Sequence, residues 1–148
     1  MIHLRIDAVS VLAATGGQFA LRAVVSAADD LQARTDAFAD QSIKFVEGLP
    51  TVHRIQRIAY QFQDAATSVG ANYRAARRAK SHADFTAKAG IVSEEADESV
   101  YWLTRMKNAN IRSSTVDIEA LLTEADELAR IFGATHRTAK RRHRRKDQ

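Results

Sequence analysis

Eight apolar or aromatic residues spaced alternately three and four apart constrain this chain more than any other feature: Val52, Ile55, Ala59, Phe62, Ala66, Val69, Tyr73 and Ala76. A helix of 3.6 residues per turn carries all of them on one face, and the near-3.5 repeat keeps that stripe against its partners, as in bundles crossing at about 20°. The small members Ala59, Ala66 and Ala76 permit close approach.

The flanking segments follow the same rule. A first helix is predicted from near Leu31 to Glu47, with Phe38, Phe45 and Val46 inward. It stops at Gly48-Leu49-Pro50 because proline cannot continue a helix, and Thr51 is placed to cap the next one. Ser81 followed by Asp84 resembles a capping box and opens a third helix on Phe85, Ala89, Val92, Ala96, Ser99, Leu103 and Met106. A fourth carries Ile118, Leu121, Ala125, Leu128 and Phe132, and gives way to a tail near Gly133. One proline and six glycines in 148 residues leave few breakers. The helices share no fixed repeat, which argues against a solenoid. Short connections make neighbours antiparallel, so the expected fold is an all-α, up-down-up-down four-helix bundle over 31–135. Residues 1–30 form an N-terminal extension without a sustained period, and 136–148 a basic, disordered tail.

Charge is uneven along the chain. Residues 136–148 hold seven of the 22 Lys and Arg and one of the 18 acids, a net +6, whereas 1–135 hold 15 and 17, a net −2. Such tails seek polyanions, because neutralising phosphates releases condensed counterions. Zero cysteines exclude thiol catalysis and disulfides and fit a cytoplasmic location. No apolar run reaches the length of about 18 residues that a membrane span needs. Ala8 to Ala14 hints at a signal peptide, but Asp7 and Gly16-Gly17 spoil the pattern.

Candidate chemistry is sparse. Glu94, Glu95, Asp97 and Glu98, with Glu124, Asp126 and Glu127, invite a di-iron reading, but His3, His53, His82, His136 and His143 form no Glu-x-x-His pair. No metal or cofactor is expected; solvated faces and pairing to Arg54, Arg57 or Arg74 explain the acids. Asn72, Arg74, Glu95 and Glu98 suggest a register-setting polar contact between packed helices or subunits. Gly70 inside the second helix costs about 1 kcal/mol relative to Ala, which implies close backbone packing. Phosphate-loop and dinucleotide fingerprints are absent, and no nucleophile stands beside a base. Two basic sets remain as nucleic-acid-binding candidates: Arg74, Arg77, Arg78 and Lys80 at the end of the second helix, and Arg137, Lys140, Arg141, Arg142, Arg144, Arg145 and Lys146 in the tail. Neither has stacking aromatics around it, so sequence-specific reading is not expected. Tyr101 and Trp102 lie beside the seam and are candidates for a subunit interface or for core packing.

Four blocks carry a family likeness: 34–39 with Gly48-Leu49-Pro50; 66–79, around Asn72-Tyr73-Arg74; 81–88, Ser81 to Lys88; and 94–103, Glu94 to Leu103. In order and spacing along 31–135 the chain resembles the four-helix-bundle proteins of intervening sequences in bacterial 23S ribosomal RNA genes. The resemblance implies a left-handed bundle assembled into a toroidal homopentamer, nucleic-acid contact through a basic surface, and no catalysis. A distant relative, the accessory protein of diversity-generating retroelements, partners a reverse transcriptase. The first 28 residues and the arginine-rich end depart from the family pattern, so a shorter product would start at a codon such as that of Val24 or Val25. The expectation is a non-enzymatic oligomer that associates with RNA or DNA through phosphates. The alternative is a protein-interaction adaptor without direct nucleic-acid binding.

Overall fold

Four helices follow one another in the chain: α1 Gln18–Glu47, α2 His53–Ala76, α3 His82–Asn108 and α4 Ile118–Lys146. This computed structural model describes the backbone of residues 18–146 and the side chains of 24–143, and no strand occurs among the described residues. Each helix packs on its sequence neighbour, and α1 also meets α4 to close the ring, along the least extensive of the four edges. The chain is an all-α four-helix bundle, as the periodicity predicts.

The core lies where the stripes converge. Phe62 on α2 meets Phe38 and Phe45 of α1 edge-on, with ring centroids 6.3 and 5.9 Å away, and Tyr73 meets Phe132 of α4 at 5.1 Å. Phe62 is wholly buried, which stabilises by about 3 kcal/mol relative to leaving it in water. From Ala59 to Ala76 the six stripe positions are buried, and Ile55 is partly so. Val52 departs from the expectation, being 45% exposed. It is the N-cap itself, with extended backbone and no side-chain cap bond, and its N–H donates to Pro50 O at 2.8 Å. Thr51, expected to cap, therefore lies outside the helix.

Helix α1 begins at Gln18, well before the expected Leu31. Its seam is Ala28, Leu31, Thr35, Phe38, Ser42 and Phe45, again spaced three and four apart. Thr35 and Ser42 are wholly buried at seam positions. Their hydroxyls donate within the helix to Gln32 O (2.8 Å) and Ala39 O (2.7 Å), so burial leaves neither hydroxyl unsatisfied. Residues 1–17, including the signal-like stretch, lie outside the described residues.

At the other end of the chain, α4 continues through Gly133 to Lys146, where a disordered tail was expected. The stripe of Phe132 extends through His136, Ala139 and His143, spaced 4, 3 and 4. Ala139 is buried, its carbonyl accepts a hydrogen bond from His82 Nε2 at 2.9 Å, and a Cβ on Gly90 would stand 3.3 Å from His136 Nε2. That packing onto α3 keeps the segment helical.

The connections fall into two kinds. Between α2 and α3, Ser81 Oγ accepts from Asp84 N at 3.1 Å while the Asp84 carboxylate accepts from Lys80 N at 2.9 Å, a reciprocal cap. After α3, Asn110 takes φ 54°, and Asn110 N and Ile111 N donate back to Lys107 O and Met106 O, both at 3.0 Å. This left-handed ending tucks Ile111 into the core. The chain then straps α1: Ser114 N donates to Gly48 O at 2.9 Å and Thr115 Oγ1 to Lys44 O at 2.5 Å. Gly70 faces the α1 backbone, where an added Cβ would stand 3.4 Å from Thr35 O, which explains a glycine inside α2.

Candidate nucleic-acid interface

The α2–α3 connection and the last turns of α4 occupy one end of the bundle, here called the basic end. The His82 bond to Ala139 O fixes this, as does the approach of the His82 and His143 rings to 6.0 Å. Two basic segments more than 50 residues apart in sequence are thereby brought together. Arg74, Arg78 and Lys80 are exposed on the first, and Arg137, Lys140, Arg141 and Arg142 on the second. Arg144, Arg145 and Lys146 lie on the α4 backbone, but their side chains are outside the described residues.

Two acids at this end, Asp84 and Asp29, are already engaged. Asp84 pairs with Lys88, and that bond, with the one from the Lys80 amide, holds its carboxyl below the usual carboxylate range. Asp29 of α1 pairs with Arg77, so Arg77 serves packing as well as charge. Burial pushes the Tyr73 phenol up, with Arg77 acting against it, while its hydroxyl reaches Ala28 O at 3.5 Å. Among the described residues no ion pair involves Arg78, Lys80, Arg137 or Lys140, so their charge faces solvent.

Within one chain the expected contact of Asn72 and Arg74 with Glu95 and Glu98 is not formed, which leaves the contact between subunits as the form it would take. In the α2–α3 hairpin each step away from the turn on one helix is matched on the other, which places Arg74 abreast of the start of α3 and Glu95 near Asp64. Asn72 Nδ2 donates to Ser68 O in its own helix (2.9 Å), and Glu98 accepts from Trp102 Nε1 (2.9 Å). Desolvation, then Glu98, Glu94 and Asp64, raise the Glu95 carboxyl above the usual range. Trp102 packs partly against the core, while Tyr101, edge-on to it at 4.9 Å, is 53% exposed beneath the Arg105 guanidinium.

One polar device escaped the sequence. Arg34 of α1 forks onto Glu124 of α4, with Nε to Oε1 at 2.5 Å and Nη2 to Oε2 at 2.8 Å, and also reaches Glu127. It clamps the sparsest edge of the ring, and the two carboxylates hold its guanidinium more firmly protonated than usual. Among the described residues no cluster of three or more metal-ligating side chains occurs. Nor is any of their helices long and apolar enough to cross a membrane.

A family model described as 23S rRNA-intervening sequence protein matches residues 30–134. A crystal structure of a protein with unknown function from the S23 ribosomal protein family of Bacteroides thetaiotaomicron VPI-5482 is similar with a TM-score of 0.61. Sequence identity is 24%, over 71% of this chain and 96% of that one, a likeness of fold. Comparison with curated proteins yields no match.

Proposed function

The chain belongs to the 23S rRNA-intervening sequence protein family, and from that premise we propose that it is a non-enzymatic, oligomeric four-helix bundle that associates with RNA or DNA through phosphate contacts at its basic end. The observation that carries this reading is the meeting of the α2–α3 connection with the last turns of α4, held by the His82 bond to Ala139 O. Rigid helices there present cations from both segments, and the neighbouring acids are paired. The aromatic rings near the basic residues, Tyr73 and Phe85, are buried or partly buried, so recognition rests on the backbone of the nucleic acid and is independent of base sequence. Large apolar side chains exposed on α3, Ile91 and Tyr101, support self-association, for which the family likeness suggests a pentamer working in the cytoplasm.

Salt titration tests the reading. Affinity for mixed-sequence RNA and DNA hairpins should fall steeply with salt, and Arg137→Gln/Lys140→Gln/Arg141→Gln should flatten the log–log slope by about 2 to 3, near 0.9 per phosphate contact. Salt-insensitive binding, or an unchanged slope in the variant, overturns it. A native mass equal to one chain overturns the oligomer. A protein partner retained after nuclease treatment, on a preparation that binds no hairpin, would favour an adaptor docking on Tyr101 instead.

A further inference from the structure

At the end of the bundle opposite the basic end, two adjoining clefts of about 610 and 720 Å³ run along the start of α2 and share Arg54 and Ile58. The first reaches Trp102 and Tyr60; the second reaches Ile55, Ile111 and Arg112. The floor is apolar and aromatic, while Arg54, Arg57 and Arg112 are exposed along the rim. None of these three arginines enters a hydrogen bond or ion pair among the described residues. No carboxylate lines either cleft. Glu98 accepts from the Trp102 indole N–H at 2.9 Å. Basic charge thus coincides here with an exposed ring, Tyr60, beside a partly buried one, Trp102, whereas at the basic end Tyr73 is buried and Phe85 partly so.

We infer that this furrow is a second binding site, for single-stranded nucleic acid, with unpaired bases stacking on Tyr60 and Trp102 and phosphates held by Arg54, Arg57 and Arg112. The chemistry needs both components. Arg54 and Arg57 stand about one helical turn apart on α2, so they can meet neighbouring phosphates of one strand. Stacking requires a free base face, which a duplex keeps inside its own stack and an extended strand offers. An acidic peptide would satisfy the arginines but leave the ring faces without a partner of matching shape. From Arg57 to Arg77, at 1.5 Å per residue, the furrow lies about 30 Å along α2 from the basic end. The two sites are therefore separate.

Trp102 is the single tryptophan of the chain, so its emission reports this site directly. Oligouridylate RNA should quench it saturably, whereas a hairpin duplex, polyphosphate and poly-glutamate should not. Tyr60→Ala, at an exposed position, should weaken the quenching titration about tenfold, the usual loss for one stacked base. Arg54→Gln/Arg57→Gln should do at least as much, and the triple glutamine variant of the basic end should leave it within about twofold. Circular dichroism melts that match the unsubstituted protein establish that the furrow variants are folded. Equal quenching by duplex or polyphosphate, by poly-glutamate, or unchanged quenching in the folded furrow variants overturns the inference. Because the triple variant acts only on the basic end, failure of one site is distinguishable from failure of the other.

Discussion

Where α2 turns into α3, the joint is held largely by charge: the Asp84–Lys88 pair, the Asp84 bond to the Lys80 amide, and Arg77 on Asp29. At the opposite end, where α1 meets α2 and α3 meets α4, the joint is held mainly by backbone and hydroxyl hydrogen bonds around Asn110, Gly48 and Thr115, with Ile111 buried beneath and one exposed ion pair, Lys107 with Glu119, beside them. Exposed ion pairs weaken with salt, whereas a left-handed helix ending and a buried isoleucine do not. The difference teaches where each end can respond. Salt and acid act more on the basic end, where the Asp84 and Asp29 pairs hold the joint, than on the other, where one exposed ion pair adds to bonds that neither of them breaks.

The comparison breaks most visibly through Ala139. Placing a carboxylate at this buried position, Ala139→Asp, costs about 3 kcal/mol locally, and the helix end escapes by undocking from α3. Hydrogen exchange should show protection lost over residues 136–143 with little change around Ile111. Hairpin affinity should drop with it; protection kept throughout α4 would show that the packing of its last turns is not what orders them.

At the other end the largest effect comes from Asn110. A β-branched residue forced to positive φ costs about 1–2 kcal/mol, so Asn110→Val should lower the urea midpoint, while Asn110→Gly should hold or raise it. Equal behaviour of the two variants would mean that the left-handed ending carries no stability. Next comes the edge between α1 and α4. Arg34→Lys keeps the charge but loses the fork, and for a half-exposed pair the expected loss is about 1 kcal/mol, read by the same denaturation curve at low salt.

The smallest effect is acid. The Asp84 carboxyl is held below the usual range, so the folded state prefers it charged; its contribution is present at neutral pH and is lost as pH falls through the lowered value. The protection factor of the Lys80 amide should fall only as the pH drops below about 4, the ordinary carboxylate value, while that of Ile111 holds. Asp84→Asn should remove the pH dependence.

How much of this was legible in the sequence depended on what occupied the seam. In α2 and α3 the stripe positions are mostly apolar, and the helices stand where the spacing places them. In α1 only Ala28 of the described side chains before Leu31 is buried, and in α4 the stripe passes to His136 and His143, so stripes thin in large apolar residues concealed two helix extensions. Pairing across helices was harder to read. Arg74 and Glu95 look complementary until the hairpin register separates them, and Arg34 finds Glu124 only through closure of the ring. The furrow was hidden for the same reason, since Arg57 and Trp102 become neighbours only once α2 lies beside the end of α3.

The Arg34 clamp has a consequence for the nascent chain. Its partner Glu124 lies 90 positions downstream, and at about 5–20 residues per second a ribosome needs on the order of 5 to 20 s to make it. For that interval α1 has α2 beside it and α2 in turn has α3, but the helix that completes the ring is still missing. The apolar flank of α1 that faces α4 is thus the last to be covered, and it is the surface on which a holding chaperone, or α4 of a neighbouring chain, would compete during synthesis.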